Sequence, residues 1–151
     1  MSRTIVVLGG SGFVGRALVL RLLARGDRVR VLSRNAESAA RIPTGAEPLV
    51  GDVFDAAFLR KSFDGADAVI NLVGILNERG DDGRGFHRVY VELADTMIAA
   101  MQAANVRRLL QMSALHAGDG DSHYLKARGE AEALVRASAL DWTLFRPSVI
   151  A

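Results

Sequence analysis

A glycine-rich segment near the start of the chain has the composition and spacing of an anion-binding turn. It reads Gly9-Gly10-Ser11-Gly12-Phe13-Val14-Gly15 and directly follows the apolar run Ile5-Val6-Val7-Leu8. Glycines permit a tight turn and a close approach of the main chain to a ligand, and the N–H groups that open a helix face that ligand. A tight turn without a ligand can have the same residues, so the context of the segment must decide. With a strand before it and a helical pattern after it, the segment predicts a pyrophosphate site.

The second predicted strand ends in Leu32-Ser33-Arg34-Asn35. In dinucleotide-binding folds this position commonly carries an acid that binds the adenosine ribose, and here the acid is missing. Arg34 offers a planar donor fork and a permanent charge, which together with Ser33 and Asn35 would suit a 2′-phosphate. We therefore expect NADP(H) to be preferred, with NAD(H) as the other candidate. The alternative is that Arg34 is a solvated residue at a helix start.

Two further strand ends carry residues that fit the same ligand. Asp52 and Val53 follow the third strand. Either Asp52 accepts a hydrogen bond from an adenine amino group while Val53 covers the ring, or Asp52 caps the next turn. After the fourth strand, Leu72-Val73-Gly74 would let the main chain lie against phosphate and ribose, although a glycine that simply ends a strand needs no ligand.

The fifth strand ends at Met112-Ser113-Ala114, which predicts a hydroxyl at the carboxyl edge of the sheet. Tyr124 and Arg128 follow in a helical pattern and share a face because they are four residues apart. Lys126 is about 200° from Tyr124 around that helix and points away. Ser113, Tyr124 and Arg128 are therefore the polar residues of interest in these two segments.

Apolar runs of strand length alternate with helical patterns along the chain, which predicts a parallel α/β sheet covered by helices on both faces. Right-handed crossovers favour a doubly wound, Rossmann-type order of 3-2-1-4-5-6, with ligands at the carboxyl ends of the strands. The predicted strands are Thr4–Leu8, Arg28–Leu32, Glu47–Val50, Ala68–Leu72, Arg107–Met112 and Trp142–Phe145. The predicted helices are Phe13–Arg25, Asn35–Arg41, Ala56–Phe63, Phe86–Ala104 and Ser122–Ala139.

Local chemistry predicts several ends of these elements. Gly26 is expected to end the first helix, and Asn105 to close the long helix in a left-handed conformation. Asp55 and Ser122 are expected to be N-caps. The loop 77–85 is interpreted as solvated and mobile, and not as a pair of catalytic carboxylates.

Composition limits the classes of function. The 151 residues are 50% hydrophobic, which predicts one domain over residues 1–151. The 19 basic and 17 acidic residues are mixed along the chain, which argues against a nucleic-acid partner. The chain has no cysteine, and its three histidines lack metal-ligand spacing, so no metal is expected. We expect no leader and no membrane span, and a cytoplasmic location.

Several motifs together resemble the extended and atypical short-chain dehydrogenase/reductases, within the branch of NAD(P)-dependent epimerase/dehydratase-like proteins that includes the nucleotide-binding accessory subunit of respiratory complex I. The motifs are the glycine-rich segment, Gly51-Asp52-Val53, Asn71-Leu72-Val73-Gly74, Met112-Ser113-Ala114, Tyr124-Leu125-Lys126-Ala127-Arg128 and Arg146-Pro147-Ser148-Val149-Ile150.

The resemblance implies a Rossmann fold and a bound nicotinamide dinucleotide, with Pro147 and its neighbours passing near the nicotinamide. Catalytic members carry Tyr-x-x-x-Lys, whereas this chain has Arg128 at the lysine position, and an arginine does not replace that lysine conservatively. The interval from Ser113 to Tyr124 is also shorter than in typical members. The chain ends at Ala151, where relatives continue into a substrate-binding region.

Two functions follow as expectations. The preferred one is a binding module that holds NAD(P)(H) for a structural or sensing purpose, within a larger assembly, peripheral to a membrane complex, or as a homodimer paired through the two long helices. The alternative is an NADP(H)-dependent oxidoreductase or epimerase/dehydratase in which Tyr124 is the acid/base, Ser113 stabilises a substrate oxygen and Arg128 replaces lysine. A similar fold that binds no nucleotide ranks lowest.

Overall fold

A six-stranded parallel sheet forms the centre of the protein in the computed structural model, which describes residues 2–150. The strand order β3-β2-β1-β4-β5-β6 confirms the predicted Rossmann-type arrangement. The strands are β1 Thr4–Leu8, β2 Arg28–Ser33, β3 Glu47–Val50, β4 Ala68–Asn71, β5 Arg108–Met112 and β6 Asp141–Phe145. The prediction succeeds because parallel neighbours need crossover helices, which impose the alternation seen in the sequence.

Helices connect the strands and cover both faces of the sheet. They are α1 Phe13–Ala24, α2 Ala36–Ala39, α3 Ala56–Phe63, α4 Arg84–Phe86, α5 Leu93–Ala103 and α6 His123–Ala137. A π-helical segment, His87–Glu92, joins α4 to α5, so these three pieces form one continuous helix with a wider turn inside it. The sequence pattern predicted the long helix but not the π-helical turn, because the apolar periodicity of one such turn is too short to stand out.

The predicted ends of the elements are largely confirmed. Gly26 and Asn105 have φ angles of 86° and 58°, as expected for left-handed residues after helices. Asp55 and Ser122 accept hydrogen bonds from main-chain N–H groups at the starts of α3 and α6. The long helix begins at Arg84, two residues earlier than predicted.

The early start of the long helix has a local cause. The Glu78 carboxylate accepts hydrogen bonds from the N–H groups of Gly83, at 2.7 Å, and Phe86, at 3.1 Å. These are N–H groups that a helix start otherwise leaves unpaired. One acid in the preceding loop therefore fixes the first turn.

The core lies on both faces of β1 and β4, whose side chains are nearly all buried. Val6 and Leu8 pack with α3 and α5 on one face, while Val7 packs with α1 on the other. In the parallel register, Leu8 is level with Leu32 of β2 and Asn71 of β4. The residues that follow these three strands therefore meet at one edge of the sheet, where the predicted site residues lie.

Candidate functional site

Three glycines of the first turn are required by the protein's own packing. Gly9 has a φ angle of 85°, and a Cβ there would lie 2.9 Å from the carbonyl carbon of Leu72. A Cβ at Gly10 would lie 2.5 Å from a methyl group of Val31, and one at Gly15 would overlap the Gly9 carbonyl oxygen. These glycines let β1, α1 and the end of β4 approach one another closely.

Gly12 differs from its neighbours because no contact among residues 2–150 requires a glycine there. Its φ angle is −82°, which any residue adopts, and the nearest atom to an added Cβ is the Gly9 oxygen at an ordinary 3.5 Å. Gly12 is the exposed N-cap residue of α1, beside the half-buried Ser11 and Val14 and the exposed Phe13. Without a side chain at this position the helix N-terminus is accessible, which makes it a cradle suited to a phosphate group.

The end of β2 carries three polar residues, one of which has a buried hydroxyl without a partner among residues 2–150. Ser33 is 4% exposed, and within residues 2–150 its hydroxyl has no hydrogen-bond partner. Arg34 is exposed. The Asn35 side chain accepts a hydrogen bond from the Ser38 N–H at 2.8 Å and caps α2, so it has a structural role. A buried hydroxyl without a partner is uncommon in folded proteins, and a ligand hydroxyl or phosphate would complete it.

Asp52, after β3, caps the turn that follows it. Its carboxylate accepts a hydrogen bond from the Phe54 N–H at 2.9 Å. Val53 is half-buried and packs against the core. The hydrogen bond from Phe54 supports the capping interpretation of Asp52, while the contact with adenine stays a prediction.

The segment after β4 is held by Asn71 at the end of that strand and adjoins side chains from other elements. Asn71 donates a hydrogen bond to Gln111 and accepts one from the Val73 N–H, which fixes the chain where the strand ends. Leu72 and Val73 are half-buried. A Cβ on Gly74 would lie 3.1 Å from the Tyr90 hydroxyl oxygen and 3.3 Å from an Arg128 nitrogen. The small size of Gly74 thus makes room for these two side chains.

Tyr124 and Arg128 lie together on one face of α6, as predicted. The Arg128 Nε is 3.4 Å from the Tyr124 hydroxyl oxygen, and its Nη1 donates to the Met112 carbonyl at 2.9 Å. Arg128 is only 7% exposed, and its guanidinium lies 3.9 Å from the centre of the Tyr90 ring. The guanidinium is therefore clamped between a strand end and an aromatic ring.

Ser113 belongs to a buried ionic network. Its hydroxyl donates to Glu132 at 2.5 Å, and Ser113 and Glu132 are 3% and 1% exposed. Glu132 also pairs with Arg146 at 2.6 Å and with Arg136 at 3.1 Å. Burial alone would raise the pKa of Glu132, but the hydrogen bonds from Arg146 and Ser113, with the nearby arginine charges, lower it below its ordinary value.

Main-chain hydrogen bonds fix the position of the segment that contains Pro147. The carbonyl of Phe145 accepts from the Ser113 N–H at 2.7 Å, and the carbonyl of Pro147 accepts from the Leu115 N–H at 3.0 Å. The chain after β6 therefore continues alongside the chain after β5, and Arg146 is directed toward α6.

Sequence reasoning missed two residues of this region, Tyr90 and Glu132. Glu132 lies four residues after Arg128 in a helical pattern, so its shared face was available as a signal. Tyr90 carried no comparable signal, because its role depends on a loop fifteen residues earlier in the chain.

Two negative findings apply to the part of the chain that the structure describes. Residues 2–150 contain no group of three or more His, Cys, Asp or Glu side chains placed to hold a metal ion. The same residues include no helix with the length and hydropathy needed to cross a membrane.

Comparison with known proteins agrees with this geometry. Residues 9–151 match the model of the NAD(P)H-binding family, and the chain belongs to this family. A solved short-chain dehydrogenase/reductase superfamily protein from Agrobacterium tumefaciens with bound NAD is similar in fold, with a TM-score of 0.81 and 27% identity, over 95% of this chain and 48% of that one. The protein is thus an NAD(P)-binding Rossmann domain of the extended, epimerase/dehydratase-like short-chain dehydrogenase/reductases.

Curated relatives have diverse functions. A farnesyl-dihydroquinoline-oxide ketoreductase from Stigmatella aurantiaca is 34% identical over 71% of this chain and 32% of its own length. A mitochondrial NADH dehydrogenase subunit, 1 alpha subcomplex subunit 9, from Arabidopsis thaliana is 28% identical over 95% of this chain and 37% of its own. The chain spans about a third of the length of these two relatives.

Proposed function

We propose that this domain binds NADP(H) in preference to NAD(H) and serves as a binding module, without catalysing hydride transfer itself. The observation that carries the binding site is Gly12, the one glycine of the turn at which an added Cβ would meet no tight contact. Main-chain N–H groups at the start of α1 and the helix dipole would hold the diphosphate there. The residues present therefore fit the dinucleotide.

The end of β2 supports the preference for NADP(H). The Ser33 hydroxyl is buried and has no partner among residues 2–150, and Arg34 is exposed beside it. No carboxylate occupies this strand end to repel a 2′-phosphate. Arg34 would form a charge-assisted hydrogen bond with that phosphate, and Ser33 would satisfy its hydroxyl on the same group.

The engagement of Arg128 and Ser113 supports binding over catalysis. Arg128 is clamped by the Met112 carbonyl and the Tyr90 ring, and a guanidinium does not give up its proton. The Ser113 hydroxyl donates to Glu132, so it is not free to hold a substrate oxygen. A bound nicotinamide dinucleotide would supply hydride chemistry, whereas Ser113 and Arg128 would keep their contacts within the protein.

A partner surface is part of the same proposal. Large apolar side chains are exposed along the carboxyl edge of the sheet, where they are free to pack against a further protein region. They include Phe13, Leu76, Leu115, Phe145, Val149 and Ile150. The complex I subunit among the relatives suggests a larger assembly, peripheral to a membrane complex, as the setting.

The alternative is an NADP(H)-dependent oxidoreductase or epimerase/dehydratase that uses Tyr124 as its acid/base. It is favoured by the 3.4 Å contact between the Arg128 Nε and the Tyr124 oxygen, which places a guanidinium beside the proposed acid/base. The similarity to a ketoreductase from Stigmatella aurantiaca also supports an oxidoreductase.

Titration with NADPH and with NADH, followed through nicotinamide fluorescence, tests the binding proposal. We expect saturable binding of both, with NADPH tighter. In Arg34→Asp, NADPH should bind about tenfold more weakly because the charge-assisted contact is replaced by repulsion. Arg28→Asp makes the same change at the opposite end of β2 and should leave the preference intact. An unchanged preference in Arg34→Asp would show that Arg34 is a surface residue only.

Tyr124→Phe separates binding from catalysis. Under the binding proposal, the domain with NADPH and a panel of carbonyl compounds shows no turnover, and the variant binds NADPH as the wild type does. Turnover by the wild type that is lost in Tyr124→Phe, with NADPH affinity retained, would instead establish the oxidoreductase.

A further inference from the structure

Tyr90 lies in the π-helical segment and binds both main-chain groups of one residue in the loop after β4. Its hydroxyl donates to the Ile75 carbonyl at 2.6 Å and accepts from the Ile75 N–H at 2.8 Å. Tyr90 is 2% exposed. Because water has little access to this contact, the tyrosine is the partner that fixes the main chain of Ile75.

The same side chain holds Arg128. The guanidinium carbon of Arg128 lies 3.9 Å from the centre of the Tyr90 ring, within the range of a cation–π contact. Across residues 2–150, no carboxylate forms an ion pair with Arg128. The ring face therefore supplies much of the electrostatic compensation for this buried charge, and with the Met112 carbonyl it determines where the guanidinium lies.

Gly74 lies between these two contacts. A Cβ at this position would be 3.1 Å from the Tyr90 oxygen and 3.3 Å from the Arg128 Nη2. Tyr90, Gly74 and Arg128 are thus packed directly against one another at the carboxyl edge of β4. A shift of the tyrosine would move both the loop and the guanidinium.

The Tyr90 ring is itself fixed by two other aromatic rings. Phe86 stacks on it at 6.3 Å between centroids, and Tyr124 meets it edge-on at 5.7 Å. Burial raises the pKa of the Tyr90 hydroxyl above its ordinary value, although Arg128 and the Ile75 hydrogen bond oppose the shift. The hydroxyl therefore stays protonated near neutral pH and keeps its role as donor to Ile75.

We propose that Tyr90 is a positioning residue of the dinucleotide site, which holds the main chain at Gly74–Ile75 and the Arg128 guanidinium in place for the nicotinamide half of the ligand. The inference rests on the proposed function. β2 and β4 flank β1 on opposite sides. If the diphosphate lies at the glycine turn and the 2′-phosphate at Arg34, the nicotinamide half extends toward β4, where Tyr90 acts.

The proposal makes Tyr90→Phe a selective variant, because it removes the hydroxyl and keeps the ring. NADPH should bind about tenfold more weakly, as expected for the loss of the paired contact to Ile75. Adenosine 2′,5′-bisphosphate, which lacks the nicotinamide half, should bind within about twofold of the wild type. The Ile75 amide should also exchange its hydrogen faster in the free protein, since its acceptor is gone.

Two further variants complete the design. Gly74→Ala disturbs the same contact from the other side and should give the same selective loss of NADPH affinity. Ser62→Ala is the matched control, because the Ser62 hydroxyl is also buried and donates to a carbonyl, that of Phe58 at 2.7 Å in α3. Ser62→Ala should leave the affinities for NADPH and for adenosine 2′,5′-bisphosphate unchanged.

The outcomes distinguish the inference from the proposed function. Equal weakening of both ligands, or no weakening in Tyr90→Phe and Gly74→Ala, would overturn the positioning role while leaving dinucleotide binding in place. Failure of the wild type to bind either ligand would overturn the proposed function, and the role of Tyr90 with it.

Discussion

The two sides of β1 at the carboxyl edge of the sheet are built differently. Toward β2, the polar groups are open, with a buried Ser33 hydroxyl that lacks a partner in the described chain, an exposed Arg34 and free space beside Gly12. Toward β4 and β5, the polar side chains are already engaged with one another. Arg128 is held by Tyr90 and Met112, and Glu132 by Ser113 and two arginines.

The difference supports the proposal that a ligand completes one side, whereas the other side is preorganised without it. Open polar groups gain their hydrogen bonds only on binding, so substitutions there should change affinity and specificity more than stability. Engaged buried groups contribute to the folded state itself, so substitutions there should change stability. Tyr90, proposed to position the nicotinamide half, is the engaged residue at which binding should change as well.

The largest expected contrast lies within the glycine turn. Gly15→Ala should lower the free energy of unfolding by about 3 kcal/mol or more, because the new methyl group overlaps the Gly9 carbonyl oxygen. Gly12→Val should leave stability within about 1 kcal/mol of wild type, yet weaken NADPH binding by about a hundredfold or more by filling the cradle. Denaturant unfolding and NADPH titration measure the two effects. Retained binding in a folded Gly12→Val protein would remove the argument for a diphosphate there.

On the engaged side, Glu132→Gln should reduce the free energy of unfolding by about 3 kcal/mol. The amide leaves Arg146 and Arg136 without their buried counter-charge, and it replaces an acceptor with a donor. Glu130→Gln is the matched control on the exposed face of α6 and should cost less than about 0.5 kcal/mol. At temperatures where both variants are folded, NADPH affinity should stay within about threefold of wild type. A Glu132→Gln protein as stable as the control would mean that this network does not stabilise the folded chain.

The same network predicts a dependence of stability on pH. The pKa of Glu132 is lower in the folded chain than its ordinary value of 4.5. Its contribution to stability is therefore fully present above about pH 5 and is lost as the pH falls below the ordinary pKa and through the folded one. Urea unfolding of wild type and Glu132→Gln between about pH 7 and pH 3 should give a stability difference that shrinks toward acid. A difference that stays constant would show that the carboxylate is not stabilised by its partners.

The smallest expected effect concerns Asp52, where two interpretations remain. Asn can still accept the hydrogen bond from the Phe54 N–H, but it does not have a second carboxylate oxygen for an adenine amino group. Asp52→Asn should therefore leave stability within about 0.5 kcal/mol and NADPH affinity within about twofold, as expected for a capping role. A tenfold or greater loss of affinity in calorimetric titration would favour the adenine contact instead.

The sequence by itself determined the architecture and predicted candidate residues for the open half of the site. The alternation of strand and helix patterns specified the strand order because right-handed crossovers leave few ways to connect parallel neighbours. Gly26, Asn105, Asp55 and Ser122 mark element ends through local chemistry, which short stretches of sequence contain in full. The glycine turn and Arg34 could likewise be predicted as candidate site residues, because each is recognised from a short stretch of sequence.

The tertiary structure alone decided which glycine leaves room for a ligand. It also decided which hydrogen bonds and ion pairs connect the side chains of the other half of the site. Gly9, Gly12 and Gly15 look equivalent in the sequence, and only the packing of β4 and α1 separates the two that the fold requires from the one it does not. The contacts of Tyr90 with Ile75 and of Glu132 with Arg146 join residues fifteen and fourteen positions apart across different elements. Such contacts depend on the exact rotation and approach of packed helices, which residue periodicity does not encode.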